Sequence, residues 1–181
     1  MVPAKVKFAD PFSRSFVGAN QQAVLTTMTS ELKPANNFTL AAWYRATTTD
    51  TMGGDIINAG DSYILRLRPT QVEFTMRQPV PDAGVSFVHC FVTAASFRDG
   101  NWHHLAALAT SSGMRLYYDG IPMCTNMLGA DAAYDKGTTL VVGHHALGRT
   151  DYDFDGNIDD VRIYARVLSD SEIALLAQGS E

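Results

Sequence analysis

The fold of this chain is decided by residues 154–177, which read FDGNIDDVRIYARVLSDSEIALLA. Gly156 and Asn157 predict a turn, because both residue types tolerate the backbone angles that turns require. Residues then alternate from Ile158 to Tyr164, which predicts a strand with two distinct faces. One face carries Ile158, Asp160, Arg162 and Tyr164, and the other carries Asp159, Val161 and Ile163.

A short helix is predicted after this strand. Ser169 and Glu172 have the spacing of a capping box, in which each side chain binds a backbone N–H of the first turn. The apolar stripe expected to pack this helix on the core consists of Ile173, Leu175 and Leu176. A glycine at position 179 suits the end of the helix.

Residues 154–164 and the LSxxEI run that follows them resemble the C-terminal signature of laminin-G-like domains, which belong with the concanavalin A-like and pentraxin-like jelly rolls. Three further stretches match in the same order: FTLAAWYR at 38–45, NWHHLAA at 101–107 and LYYDG at 116–120. The resemblance covers residues 36–178. It implies an all-β fold, an antiparallel jelly-roll sandwich of the concanavalin A-like type with a short C-terminal helix.

The rest of the sequence predicts the same kind of sandwich. Roughly a dozen strand-like segments follow one another with turn residues between them. Residues 38–46 read as a strand that is buried on both sides or interrupted by a bulge, and residues 78–84 read as a loop. In residues 63–68, Tyr63, Leu65 and Leu67 are expected to point inward and Arg66 and Arg68 outward. We expect a single domain over residues 1–181, because no repeat or linker interrupts the chain.

Composition excludes some functions. The net charge of −5 argues against a nucleic-acid partner, which would need a basic face. The sequence has no apolar run near the ~20 residues of a membrane span, so membrane insertion is not expected. The N-terminus lacks the apolar stretch of a signal peptide. The chain is therefore expected to be intracellular as written, released by another route, or part of a longer secreted protein.

The two cysteines, Cys90 and Cys124, both fall in strand-like segments. Two cysteines are too few for a disulfide framework. They either pair with each other or remain as two buried thiols.

Residues 151–159 match the opening of an EF-hand calcium loop. Carboxylates stand at Asp151, Asp153 and Asp155, and a glycine follows at the sixth position. The closing glutamate is missing, because Arg162 occupies its position. The loop is therefore either a solvated acidic loop or a Ca²⁺ site held by Asp151 and Asp153 with ligands from elsewhere.

The resemblance to pentraxins implies a second candidate site on one face of a sheet. Asp61 and Ser62 fit the first part of the pentraxin calcium motif. After the VVG at 141–143, however, His144 and His145 replace the acidic residues of that family, and imidazole does not suit calcium. If the loop geometry is retained, Asp61, His144 and His145 lie close together on the ligand-facing surface. Zinc at either histidine is the alternative.

Aromatic residues add two candidate ligand contacts. Tyr134 and Tyr152 fall in loop segments, where exposed rings could stack on sugars. Trp43 and Trp102 fall in strand patterns and are expected in the core. His103 and His104 belong to the family's strand signature, and one of them is expected to be a hydrogen-bonded core histidine.

The sequence does not favour an enzyme. Glycosidases of this fold use paired carboxylates on one strand, but the four glutamates here (31, 73, 172 and 181) have no carboxylate partner at alternate strand spacing. No nucleophile or phosphate-loop motif is present. We therefore predict no catalytic residues.

These observations predict a non-catalytic recognition or adhesion module that binds a glycan or a protein surface through rim loops, with calcium assisting. The alternative is a virion component, such as a phage decoration or fibre protein, that acts through protein contacts. A polysaccharide-cleaving enzyme is the third hypothesis. The expected location is extracellular or on a virion surface, and a homo-oligomer or assembly subunit is compatible with either role.

Overall fold

The computed structural model describes residues 12–18, 24–47, 54–80 and 84–179. Within these ranges the chain forms twelve strands and one α-helix, α1, at Asp170–Ala177. The strands are Arg14–Val17 (β1), Val24–Thr27 (β2), Phe38–Arg45 (β3), Gly54–Ala59 (β4), Tyr63–Leu67 (β5), Gln71–Val80 (β6), Gly84–Thr93 (β7), Trp102–Ala109 (β8), Gly113–Tyr118 (β9), Ile121–Met127 (β10), Thr139–Val142 (β11) and Asp155–Tyr164 (β12). Short 3₁₀ turns occur at Ser30–Leu32, Ala95–Arg98 and Thr150–Tyr152.

The strands form two antiparallel sheets of six strands each. The first sheet has the order β1-β12-β3-β8-β9-β10, and the second has the order β2-β11-β4-β5-β6-β7. All neighbours within each sheet run antiparallel. This architecture confirms the predicted jelly-roll sandwich with a short C-terminal helix.

The central strand β3 is buried on both faces. Phe38, Leu40 and Tyr44 belong to the main core between the sheets. Ala41, on the opposite face, packs in a second apolar cluster with Ile173 of α1. The helix therefore covers part of the outer face of the first sheet, and this explains why β3 has no polar side. Burial on both sides was one of the two predicted alternatives.

A disulfide joins Cys90 of β7 to Cys124 of β10. These strands are the edge strands of the two sheets, so the bond closes one side of the sandwich. The sequence left open whether the thiols pair, and the structure shows the pair.

The predicted turn at Gly156 and Asn157 is wrong, because both residues already lie in β12. Gly156 has a φ of +140°, and a Cβ at this position would lie 2.3 Å from the carbonyl oxygen of Arg45. The glycine therefore allows β12 to approach β3 closely. Gly156 suggested a turn in the sequence, but its role in the structure is this close backbone contact.

The simple alternation predicted for β12 is also wrong. The pairing with β3 shifts between Asp159 and Arg162, and Asp160 has a φ of +47°. This bulge changes the parity, so Ile158 and Ile163 both contact the main core although they were predicted on opposite faces.

The capping box of α1 is confirmed, because Ser169 accepts from the N–H of Glu172 while the Glu172 side chain accepts from the N–H of Ser169. The helix ends at Ala177, close to Gly179, as expected. One residue of the predicted apolar stripe is wrong: Leu175 is exposed, and Ala177 is buried instead.

The predicted loop at 78–84 is also wrong at both ends. Strand β6 continues to Val80 and β7 begins at Gly84, so the two strands form one long hairpin. They remain paired from Gln71 and Thr93 to Val80 and Gly84. The prolines of this segment favoured a loop, but β6 accommodates Pro79, which pairs with Val85 of the edge strand β7.

Candidate ligand-binding face

The outer face of the second sheet carries a polar surface built by strand alternation. On β5, Tyr63, Leu65 and Leu67 pack in the core as predicted, so Ile64 and Arg66 point to the outer face. The strand register then aligns outward residues of β5, β6 and β7 in rows. One row is Ile64, Thr75 and His89, and the next is Arg66, Glu73 and Phe91.

Two carboxylates fix the arginines of this face. Asp55 of β4 is fully buried and forms an ion pair with Nε of Arg66. Nε of Arg68 donates to Glu73 over 2.6 Å. Each arginine uses its Nε for this contact, so neither contact occupies the two terminal amino groups of the guanidinium.

Glu73 is also held by neutral and basic donors. The Thr75 hydroxyl donates to Glu73 over 2.9 Å, and Nδ1 of His89 lies 2.5 Å from the same carboxyl oxygen. Burial raises the pKa of Glu73, but hydrogen bonds from His89 and Arg68 outweigh burial and lower this pKa to about 2. Glu73 is therefore an anion at neutral pH.

A loop after β11 forms the wall of the face. The Tyr152 ring lies 3.9 Å from the guanidinium carbon of Arg66 and 4.6 Å from that of Arg149. The His145 ring centroid lies 5.1 Å from the Tyr152 ring. These contacts hold the tyrosine ring over the arginine through cation–π attraction.

His145 also links this wall to the turn between β4 and β5. Its Nδ1 accepts from the N–H of Leu147, and its Nε2 lies 3.0 Å from a carboxyl oxygen of Asp61. Burial raises the pKa of Asp61, but contacts with His145 and Asn58 outweigh burial and lower it. Asp61 itself has a φ of +65°, and its N–H donates to Asn58.

Together these residues enclose a cavity of about 220 Å³. Its cationic lining comes from Arg66, Arg68 and Arg149, and its apolar lining from Ile64, Phe87 and Tyr152. The cavity is smaller than the ~300–1,000 Å³ typical of sites for drug-sized ligands. Its size therefore suits one small group, such as a single sugar ring.

The structure places the predicted ligand contacts in different environments. Asp61, His145 and Tyr152 line the cavity. His144 is buried and forms an ion pair with Asp153, away from the cavity lining. Ser62 is fully buried.

The prediction that Tyr134 is exposed is wrong. Its hydroxyl donates to the carbonyl of Pro34 over 2.7 Å, and its ring packs against Tyr63 at 6.4 Å. Burial raises the pKa of Tyr134. Tyr134 therefore supports the core beneath the sheet.

Three of the four carboxylates predicted to bind metal contact other side chains, and the fourth lies in a strand. Asp61 binds His145, Asp151 accepts from Arg149 over 2.8 Å, and Asp153 binds His144. Asp155 lies in β12 opposite Val17. Among the described residues, no group of three His, Cys, Asp or Glu side chains could hold a metal ion. Calcium binding stays a prediction.

The prediction of a hydrogen-bonded core histidine in β8 is wrong, because burial and side-chain hydrogen bonding fall on different histidines, and Nδ1 of buried His104 has no hydrogen-bond partner among the described residues. His103 is hydrogen-bonded to both Asp99 and Asp119 and is partly exposed. His104 is the buried member and packs edge-on against Trp43. Trp43 is buried as predicted, whereas Trp102 is only half-buried.

Sequence reasoning missed Arg66, Arg68, Glu73 and His89 as site residues. The alternation of β5 and β6 does place polar side chains on one face, and this signal could have identified the surface. The pairing of β6 with β7, which brings His89 to Glu73, could not be read from local patterns, because it depends on strand register.

The two antiparallel sheets and the late helix define a concanavalin A-like jelly roll. The family comparison matches residues 18–174 to a laminin G family described as the concanavalin A-like lectin/glucanases superfamily. Because this match covers most of the chain, the protein belongs to that family. No curated protein matches the chain in sequence.

Solved structures with the same fold include binding modules. The carbohydrate-binding module CBM40 of the IT-sialidase from Ruminococcus gnavus aligns with a TM-score of 0.66 and 16% identity, over 92% of this chain and 98% of that chain. The binding domain of botulinum neurotoxin serotype D aligns with a TM-score of 0.67 and 16% identity, over 91% of this chain and 41% of that chain. At these identities the similarity shows the fold alone.

A search of the described residues for long apolar helices finds none of a length and hydropathy that could span a membrane.

Proposed function

We propose that this protein is a non-catalytic carbohydrate-binding module and that its ligand is a glycan with an anionic sugar. The observation that carries the proposal is the cavity on the second sheet, which Arg66, Arg68 and Arg149 line and in which the Tyr152 ring lies against Arg66 and Arg149. The anionic group binds the guanidinium ends, and the sugar ring packs on the tyrosine.

The arginine groups of the cavity suit an anionic ligand. Three arginines line it, and each also contacts a carboxylate: Arg66 contacts Asp55, Arg68 contacts Glu73 and Arg149 contacts Asp151. Arginine binds planar anions such as carboxylates with two parallel hydrogen bonds. Because Asp55 and Glu73 hold Arg66 and Arg68 from beneath, the guanidinium ends are already oriented before the ligand arrives.

The apolar part of the cavity suits the faces of a sugar ring. Tyr152 and Ile64 contribute apolar surface between the charged groups. A mixture of apolar walls and a few fixed polar groups is the usual composition of a small-molecule site. The solved CBM40 structure includes a complex with α2,3-sialyllactose, whose sialic acid carries a carboxylate, so the proposed ligand class has a precedent on this fold.

Protonation states support a binding role rather than hydrolysis. A glycosidase needs a carboxylic acid with a raised pKa next to a second carboxylate. Here hydrogen bonds lower the pKa of Glu73 to about 2 and also lower that of Asp61, whereas Asp55, whose pKa burial raises, is fully buried outside the cavity lining. Glu73 and Asp61 are therefore poor proton donors at neutral pH.

A protein ligand is a weaker second proposal. A botulinum neurotoxin binding domain of this fold has been solved in complex with rat synaptotagmin II, with a TM-score of 0.59. In the present protein, Ile121, Met123 and Met127 expose apolar side chains on the edge strand β10, a surface that could contact a protein. Calcium assistance and a virion role stay predictions, and the glycan proposal requires neither.

The proposal is tested by titrating α2,3-sialyllactose and uncharged lactose into the wild type and an Arg68→Gln variant. We expect sialyllactose to bind and lactose to bind much more weakly. Losing hydrogen bonds to a charged group costs ~1.5–3 kcal/mol, so Arg68→Gln should weaken binding by about 10- to 100-fold.

Arg115→Gln is the matched control, because Arg115 lies on the first sheet. Thermal unfolding of each variant verifies that the fold is intact. Equal affinity for lactose and sialyllactose, or an Arg68→Gln variant that binds like the wild type, would contradict the proposal.

A further inference from the structure

Two phenylalanines of β7 are exposed on the same face as the cavity. Phe87 is 44% exposed and Phe91 is 52% exposed, and His89 lies between them on the strand. The alternate residues Val88, Cys90 and Val92 pack against the main core. The core therefore does not require either ring, and both occupy the surface beside a polar site.

The two rings differ in their relation to the cavity. Phe87 lines it, and the guanidinium carbon of Arg77 lies 5.8 Å from the Phe87 ring. Phe91 lies outside the lining, opposite Glu73 in the row that also contains Arg66. Since strands rise about 3.3 Å per residue, Phe87 and Phe91 are about 13 Å apart along β7. His89, which also lines the cavity, is only two residues before Phe91, about 7 Å along the strand, so a sugar bound on Phe91 would lie directly beside the one in the cavity.

The cavity is lined by the loop after β11 on one side and by Phe87 and His89 of β7 on the other, and Phe91 continues the β7 side. Tyr152 and Arg149 stand on the side of the loop after β11, whereas β7 is the edge strand on the opposite side. With a volume of about 220 Å³, the cavity holds one ring, and the remainder of a longer glycan has to leave it. On the β7 side, the remainder of the glycan would pass Arg68 and Glu73 and reach the half-exposed ring of Phe91.

We propose that Phe91 forms a second sugar-binding position, so that the protein recognises an oligosaccharide rather than a single acidic sugar. The inference rests on the proposed function. The anionic sugar occupies the arginine cavity, and the neighbouring neutral pyranose places its apolar C–H face on the Phe91 ring. The electron-rich face of an aromatic ring attracts the weakly positive hydrogens of such a surface.

Charge distinguishes the two positions. The cavity presents three arginines, whereas the side chain opposite Phe91 is the anionic Glu73, whose pKa is lowered to about 2. A second acidic sugar at Phe91 would lie near this carboxylate, although Arg68 partly neutralises it. The second position therefore suits a neutral sugar, and the ligand class is a glycan with a charged end and a neutral extension.

The experiment compares two ligands in isothermal titration. The methyl glycoside of sialic acid fills only the cavity, and α2,3-sialyllactose adds neutral sugars. In the Phe91→Ala variant we expect the affinity for sialyllactose to fall roughly three- to tenfold and the affinity for the monosaccharide to stay unchanged. Phe12→Ala is the matched control, because Phe12 is also an exposed phenylalanine but precedes β1 at the opposite edge of the sandwich.

The outcomes separate this inference from the proposed function. If the wild type binds neither sugar, the proposed function fails and this inference fails with it. If the wild type binds both sugars and Phe91→Ala binds sialyllactose as tightly as the wild type does, only the second position is contradicted. A loss of the same size for both sugars also contradicts it. A change in the oligomeric state of Phe91→Ala, measured by sedimentation, would instead assign Phe91 to a contact between copies.

Discussion

At the scale of single residues, His104 shows how burial controls a titration. It lies on the outer face of the first sheet, and its ring centroid is 5.4 Å from that of Trp43. Burial lowers the pKa of His104 to about 4. The same group in an unfolded chain has a pKa of ~6.5. The folded protein therefore favours the neutral imidazole of His104.

This difference predicts a loss of stability in mild acid. Between about pH 6.5 and pH 4 the unfolded chain binds a proton that folded His104 does not, so the free energy of unfolding decreases as the pH falls. The expected decrease from this group is about 3 kcal/mol over that window, since one pKa unit corresponds to ~1.4 kcal/mol. Urea unfolding at several pH values measures it.

A His104→Gln variant provides the comparison. It removes the titrating group, so its unfolding free energy should change less between pH 7 and pH 4 than that of the wild type. Two parallel curves would contradict the assignment, because the loss of stability would then arise from other groups.

The residues of the candidate site were predictable only in part. Asp61, His145 and Tyr152 were predicted ligand contacts, and all three line the cavity. Asp61 and His145 were expected there from the pentraxin resemblance, although His145 departs from the acidic residue of that family, and Tyr152 was expected from its position in a loop. Arg66 was predicted to point outward, but nothing in the local sequence indicated that Asp55 would bury and pair with it. That contact depends on the packing of β4 beside β5, which is determined by the tertiary structure.

At the scale of elements, α1 begins with a capping box that was predicted from the sequence alone. The Ser169 hydroxyl accepts from the N–H of Glu172, and the helix packs Ile173 against the outer face of the first sheet. Ser169→Ala should therefore lower the free energy of unfolding by about 1 kcal/mol, the usual cost of losing such a cap. Denaturant unfolding of the variant measures this change.

Ser111→Ala is a suitable control, because Ser111 is an exposed serine in the turn between β8 and β9. It should change stability by less than about 0.5 kcal/mol. If both variants behave alike, the capping contact does not stabilise the helix.

Strand existence was predictable, but strand geometry was less so. Strand β3 begins at the predicted residue 38 and ends at Arg45, one residue before the predicted end. Strand β12 was predicted without its bulge at Asp160, and the bulge reversed the expected face of Ile163. A bulge inserts one residue without a strong local signal, so a regular alternation cannot reveal it.

At the scale of the whole molecule, the disulfide between β7 and β10 connects the two sheets. The bonded residues are separated by 34 positions. Closing a loop of this length removes entropy from the unfolded chain worth about 4 kcal/mol. Cys124→Ser should therefore lower the free energy of unfolding by roughly that amount, measured in urea under oxidising conditions.

Reductant provides an independent comparison for the same bond. The wild type with reductant should approach the stability of Cys124→Ser, and the variant should not respond to reductant. If the wild type has the same unfolding midpoint with and without reductant, the bond does not stabilise the folded protein.

The architecture of the whole molecule was predictable because four family stretches occur in the correct order along the chain. The function was less predictable, since one fold can carry many unrelated sites. The sequence suggested rim loops, whereas the cavity combines one such loop with the outer face of a sheet. The arginine lining of the cavity was not evident from the composition, because the net charge of −5 for the whole chain does not describe any one part of its surface.

The most direct test of the central claim is a crystal structure of the protein with α2,3-sialyllactose. We expect the carboxylate of the sialic acid to contact the guanidinium ends of Arg66 and Arg68, with its ring beside Tyr152. A ligand bound to the first sheet or to a distant rim loop, or a cavity without ligand at saturating concentration, would contradict the assignment of this cavity as the glycan site.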